Sequence, residues 1–259
     1  MCVRGLWAAV ILFFAAMEAQ SYAFLANGGF PRQRTKNSKH VLQSVQAPTL
    51  EQIHDHLRKY SGLHDDYLYA ATLGNEETVP LLLQRFRLDY GPLEPAPPPG
   101  TIPGFDCSQV HLVDALRSIT NTDQGMYYPR WAAWWEANKG SSQHRWILDG
   151  FGAEGLHVVE PLDERFALEL IEVMGRGPAY RILNAKRLLA VAPPEQRAGW
   201  LVYASGSEQR FRRLGAIVAL TQIDTVGHDD LLRKLATDSD LEIRQNAIAA
   251  LDNRPRVAH

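Results

Sequence analysis

The chain has 259 residues, 46% of them hydrophobic and 22% charged, with a formal charge of −2. That is globular composition, long enough for one large domain or two small ones, and it excludes a wholly disordered chain. A charge this close to zero gives no electrostatic basis for binding nucleic acid or an anionic membrane surface.

The N-terminus reads as a targeting segment. Arg4 precedes a 12-residue apolar stretch, residues 6–17 (LWAAVILFFAAM). A membrane-spanning helix needs roughly 20 residues, so this stretch is too short to be one. Ser21-Tyr22-Ala23 fits a small-x-small cleavage site, so residues 1–23 are predicted to be a signal peptide. The expected location is therefore exported, periplasmic or extracellular, with no membrane span once the signal is removed. Cys2 lies in the leader, which leaves Cys107 as the only thiol of the mature chain and no internal disulfide. Cys107 reads as a small buried apolar residue near a helix start.

Residues 24–47 are polar and without period, and are expected to be a flexible N-terminal extension. Residues 48–90 form the first helical segment. Thr49 with Gln52 three residues on is a capping-box pattern, which predicts a helix to about Tyr60. A helix pair follows, over 65–73 and 75–88, broken at Gly74. Val79, Leu82, Leu83 and Phe86 give its second member an apolar stripe. Residues 91–104 hold six prolines, which lack the amide donor, so this stretch is an extended linker or excursion.

Residues 105–160 are a tryptophan-rich segment of broken pattern. Asp106, with Gln109 three residues later, caps a helix to about Thr120. Pro129 opens a short helix that ends at Gly140. On it Trp131, Trp134 and Trp135 share one face, with Tyr127 and Tyr128 before them and Trp146 after. This cluster is either a hydrophobic plug or a stacking platform for a sugar, peptide or quaternary amine. A further short helix is expected around 144–149, while Gly150, Gly152 and Gly155 argue against regular structure beyond it.

From 161 to 252 the chain repeats with a period of 31. Ala185, Ala216 and Ala247 keep it, as do Leu189, Leu220 and Leu251, and Leu170, Leu201 and Leu232. The predicted helix pairs are 162–175 with 178–191, 194–205 with 207–222, and 228–237 with 240–252. Asp240 caps the last helix, Pro255 ends it, and residues 253–259 form a frayed tail. Self-similarity at this period points to stacked helix pairs, hence an all-α fold, an α-solenoid with an irregular Pro/Trp-rich central insert.

The last helix reads Ile243-Arg244-Gln245-Asn246-Ala247-Ile248-Ala249-Ala250-Leu251, after the turn Asp238-Ser239-Asp240. It resembles the short HEAT-like repeat of the phycobilisome-lyase type: an apolar-Arg-x-x-Ala-x-x-Ala-Leu helix behind an Asp-containing turn. One period earlier, Arg213, Ala216, Ala219 and Leu220 match, with Arg212 in the apolar position. The copy before that keeps Ala185 and Leu189 but has Ile182 in place of arginine. The likeness covers about 161–252, is weaker over 65–88, and over 105–155 is a loose one to exported bacterial HEAT-repeat proteins. The resemblance implies aspartate–arginine pairing between neighbouring repeats, which gives Arg213 and Arg244 a structural role first.

The chain lacks Gly-x-Ser-x-Gly, P-loop, His-Glu-x-x-His and Gly-x-Gly-x-x-Gly signatures. His54 and His56 stand two apart on a helix and diverge, while His64 falls at a turn. A HEAT-like iron enzyme, deoxyhypusine hydroxylase, takes its ligands from His-Glu pairs, and this chain has no such dipeptide. Neither catalysis, a metal nor a cofactor is therefore expected. The expected function is an exported scaffold that binds another protein, with Trp131, Trp134, Trp135, Arg181, Arg212, Glu242 and Gln245 as contacts. The alternatives are a small-ligand or glycan binder using the tryptophans, and, from the repeat resemblance, a bilin-type lyase.

Overall fold

In a computed structural model the described residues are 47–60, 64–91, 106–223 and 228–253. The expected signal peptide, nearly all of the extension and of the proline-dense stretch, and most of the tail lie outside them. Among the described residues the structure is all-helical, with twelve α-helices and no strand. They divide into two compact units, one ending at Phe166 and the other beginning at Ala167.

The first unit contains α1 (Leu50–Lys59), α2 (His64–Leu73), α3 (Thr78–Tyr90), α4 (Cys107–Thr120), α5 (Tyr128–Asn138) and α6 (Gln143–Ala153). The predicted capping box closes α1: Thr49 Oγ1 accepts from Gln52 N, and Gln52 Oε1 accepts from Thr49 N at 2.8 Å. Asp106 caps α4 as expected, accepting from Gln109 N at 2.7 Å. The Gln109 side chain does not reach back to complete a box; it is buried and donates to Met126 O at 3.2 Å.

Helix α2 lies most extensively against α4. Helix α1 packs on α2 and α3, and α3 on α4 and α5. The helices on either side of residues 92–105 thus share one core, built on Ile53, Leu57, Tyr67, Leu82, Phe86, Leu112, Leu116, Ile119, Trp131 and Trp146. All four stripe positions of α3, Val79, Leu82, Leu83 and Phe86, are buried in it.

One expected helix end fails in this unit. Helix α6 runs through Gly150 and Gly152 to Ala153, where those glycines were expected to stop it. A Cβ on Gly150 would lie 2.2 Å from Asn121 O, so glycine is the residue that lets α6 press against the turn after α4. Asn121 holds that turn in the left-handed region at φ 55 and donates from Nδ2 to Ile147 O at 2.8 Å. Packing on a neighbour outweighs the low helix propensity of glycine.

The second unit holds α7 (Glu164–Arg176) from Ala167 onward, then α8 (Ala179–Ala190), α9 (Pro194–Ser205), α10 (Arg210–Gln222), α11 (Asp229–Leu235) and α12 (Leu241–Asp252). Helix α9 pairs with α10, and α11 with α12, while α10 packs on α12 and α9 on α11. The 31-residue register is visible in burial. Ala185, Ala216 and Ala247 are fully buried, and so are Leu170, Leu201 and Leu232 within 1%.

The register is visible in hydrogen bonds as well. Arg213 Nη1 donates to Ser207 O at 2.7 Å and Glu208 O at 3.0 Å. Arg244 Nη1, one period on, donates to Asp238 O at 2.6 Å and Ser239 O at 2.9 Å. Each arginine ties down the carbonyls of the turn that precedes its own helix. The turns correspond too: Ser207 Oγ accepts from Gln209 N, and Asp238 Oδ1 accepts from Asp240 N. Between neighbouring pairs, Arg213 faces Asp238 at 2.8 Å and Arg210 Nε donates to Asp240 at 2.8 Å.

Helices α7 and α10 cross at two glycines. A Cβ on Gly215 would sit 1.7 Å from Ile171 O, and one on Gly175 would sit 1.9 Å from Phe211 O. No side chain fits between the two backbones at this point.

Candidate functional site

The tryptophans are mostly core. Trp131 is fully buried and donates its indole N–H to Gly125 O at 2.7 Å. Trp146 is buried and donates to Asn138 O at 2.9 Å. With their polar handles satisfied by backbone, these two rings fill space and fix the ends of α5. Trp134 and Trp135 are half-buried and meet Trp146 edge-on, with ring centroids 5.4 and 6.0 Å away. Trp135 also reaches an open surface. It lines a groove of about 670 Å³ between α3 and α5, together with Pro80, Leu83, Leu88, Tyr128 and Ala132. Gln84, Arg87 and Glu136 edge the groove, and Leu88 is 61% exposed.

The polar residues expected as contacts on the repeat helices are engaged elsewhere, with one exception. Arg181 is buried, its guanidinium 5.1 Å from the centre of the Tyr180 ring. Arg212 faces Glu172 at 3.5 Å with 19% of its side chain exposed. Glu242 accepts from Arg210. Gln245 is exposed. The sequence places these four side chains on predicted helices but does not reveal that Glu172 and Arg210 lie opposite two of them.

A second cluster forms where α2 and α4 begin. Cys107 is the first residue of α4, and His111 stands one turn later on the same face. His64 is the first residue of α2. Gly74, just past the end of α2, lies against Ile119 at the end of α4, so the two helices run parallel and their first turns meet. Cys107 Sγ is 3.3 Å from His64 Nε2 and 3.2 Å from His111 Nε2. The two imidazoles pack edge-on with centroids 4.3 Å apart. One ligand atom from each of the three residues lies within 4.8 Å of the others.

The reading of Cys107 as a buried apolar residue is overturned: the thiol is exposed. His64 lies in a helix rather than a turn, and its Nδ1 is 3.1 Å from Asp65 Oδ1. A carboxylate accepts only from a protonated nitrogen, so this contact puts a hydrogen on Nδ1; in the neutral ring the Nε2 lone pair then faces the sulfur. Burial lowers the pKa of His111 and favours its neutral ring, with Asp114 and Asp65 opposing the shift. The Cys107–His111 spacing of four was legible in the sequence, whereas the arrival of His64 from 43 residues away was not.

His54 and His56 diverge as their spacing of two requires. His54 is buried, with Nε2 at 2.7 Å from Thr78 Oγ1, and His56 Nδ1 lies 3.0 Å from Asp66. No known protein family, curated protein or solved structure matches this chain.

Proposed function

We propose that this chain is an exported, non-catalytic scaffold of HEAT-like helix pairs that binds another protein through the groove between α3 and α5. The observation that carries the reading is the groove itself. Trp135, Tyr128 and Leu88 present aromatic and apolar surface beside one cation, Arg87, and one anion, Glu136. Aromatic anchors in a concave surface, edged by charge, are the usual centre of a protein interface. The occupant that fits is an amphipathic helix of the partner: apolar residues on one face, an acid toward Arg87 and a base toward Glu136. The repeat reading of residues 161–252 is supported by the paired arginine–carbonyl contacts of Arg213 and Arg244, one period apart. Exposed Val202, Tyr203, Leu241 and Ile248 on the same stretch add apolar area for contacts outside the groove.

The test begins with a photo-crosslinking residue in place of Leu88, to capture the partner from the envelope or secreted fraction. The purified partner is then titrated calorimetrically. Trp135→Ala should cost at least about 2 kcal/mol of binding, as removal of a central aromatic anchor does. A captured partner whose affinity is the same for wild type and Trp135→Ala would remove the groove from the proposal. Gln196→Ala, an exposed residue of α9 outside the groove, serves as the control and should bind as wild type does.

A further inference from the structure

We propose that His64, Cys107 and His111 bind a single transition-metal ion, Zn²⁺ in the first instance, through His64 Nε2, Cys107 Sγ and His111 Nε2. This site shares no residue with the α3–α5 groove and stands whether or not that groove binds a partner.

The donor set is one thiolate and two imidazoles, which suits Zn²⁺ and copper and rejects Ca²⁺ and Mg²⁺, ions that take oxygen ligands. The spacing is close to what the ion needs. Tetrahedral Zn²⁺, with Zn–S about 2.3 Å and Zn–N about 2.0 Å, sets sulfur and nitrogen about 3.5 Å apart. Here the two sulfur–nitrogen distances are 3.3 and 3.2 Å. On these two edges the ligands need part by only a few tenths of an ångström, while the two nitrogens, which lie within 4.8 Å of each other, must settle at about 3.3 Å, an adjustment made by side-chain torsions.

The surroundings are those of a supported site. Asp65 holds Nδ1 of His64, which fixes the tautomer that offers Nε2. Carboxylates play this role behind many metal-bound histidines. Cys107 and His111 are held four apart by one helix, so their relative position is set by α4 and not by a loop. Two helix N-termini meet here, and their partial positive charge opposes a cation. Asp65 and Asp66 in the first turn of α2 and Asp106 at the cap of α4 supply offsetting negative charge. On binding, the thiol proton of Cys107 leaves to solvent as the sulfur–metal bond forms. Three protein ligands and an exposed sulfur leave the fourth position of a tetrahedral ion to water.

The experiment uses the full mature chain, stripped with a chelator under reductant and dialysed. Zn²⁺ titrated calorimetrically should bind one to one, and Co²⁺ should give a near-ultraviolet thiolate-to-metal absorption band with intense tetrahedral bands in the visible. Cys107→Ser should abolish the thiolate band, and His64→Gln and His111→Gln should each weaken Zn²⁺ binding by at least about tenfold, with Asp65→Asn weakening it by about tenfold through its support of His64. His144→Gln, an exposed histidine outside the cluster, should bind as wild type does. Circular dichroism establishes that each variant is folded, and the cobalt spectrum of the wild type needs no variant at all. Zn²⁺ should also shield Cys107 from alkylation by iodoacetamide. The proposal is overturned if wild-type protein gives no thiolate–cobalt band, if folded Cys107→Ser binds Zn²⁺ unchanged, or if alkylation proceeds equally fast with and without Zn²⁺.

Discussion

His54 shows what a single buried ionisable side chain does to this fold. Its ring is buried against Thr78, and burial, followed by the charge of Arg58, lowers its pKa from the ordinary 6.5 while Glu77 opposes the shift. The unfolded chain takes up a proton near 6.5, whereas the folded chain resists it until lower pH. Stability from this residue is therefore complete above the unfolded pKa and is lost as the pH falls through it toward the folded value. The urea midpoint should fall between about pH 7.5 and about pH 5.5, and His54→Gln should flatten part of that slope. An unchanged slope in His54→Gln would assign the pH response to other groups, of which His111, shifted in the same direction, is the first to examine. At this scale the sequence was informative about caps and weak about partners. Thr49 and Asp106 announce their roles because a cap bonds residues two or three away. His64 and Cys107 do not, because their contact depends on how α2 meets α4.

Among the helices, spacing and propensity predicted where most begin and end, and failed where a neighbour approaches closely. Gly150 looked like a terminator and instead lies inside α6, because the turn at Asn121 needs the room. The same physics reaches its limit at Gly215. Alanine in place of an exposed helical glycine normally stabilises by about 1 kcal/mol. At Gly215 the added Cβ would stand 1.7 Å from Ile171 O, so α7 and α10 must separate. Gly215→Ala should therefore destabilise, by about 3 kcal/mol in urea denaturation, the cost of overpacking a tight contact. A variant as stable as wild type would mean that the crossing relaxes freely. The 31-residue register was legible because alanine and leucine mark the packed face in every copy. The arginine–carbonyl ties were half legible: the sequence marks Arg213 and Arg244, but not that each grips the turn behind it.

On the scale of the whole chain, the division near Phe166 follows the change from the tryptophan-centred core to the regular pairs. Each unit has its own buried residues, and the two candidate sites of the first unit rest on different helix pairs, α3 with α5 and α2 with α4. The metal ligands come from widely separated points in the chain: His111 is four residues from Cys107, but His64 is 43 away. An ion held by all three would act as a staple. It would bind the ends of a 43-residue loop and deny the unfolded chain the conformations in which those ends drift apart. For a cross-link of that length the lost chain entropy corresponds to at most about 4 kcal/mol. Zn²⁺ should raise the unfolding free energy of wild type by RT ln(1 + [Zn²⁺]/Kd), read as a rise in the urea midpoint. At the same saturating free Zn²⁺, His64→Gln and His111→Gln, each at least about tenfold weaker, should each lose at least about 1.4 kcal/mol of that gain.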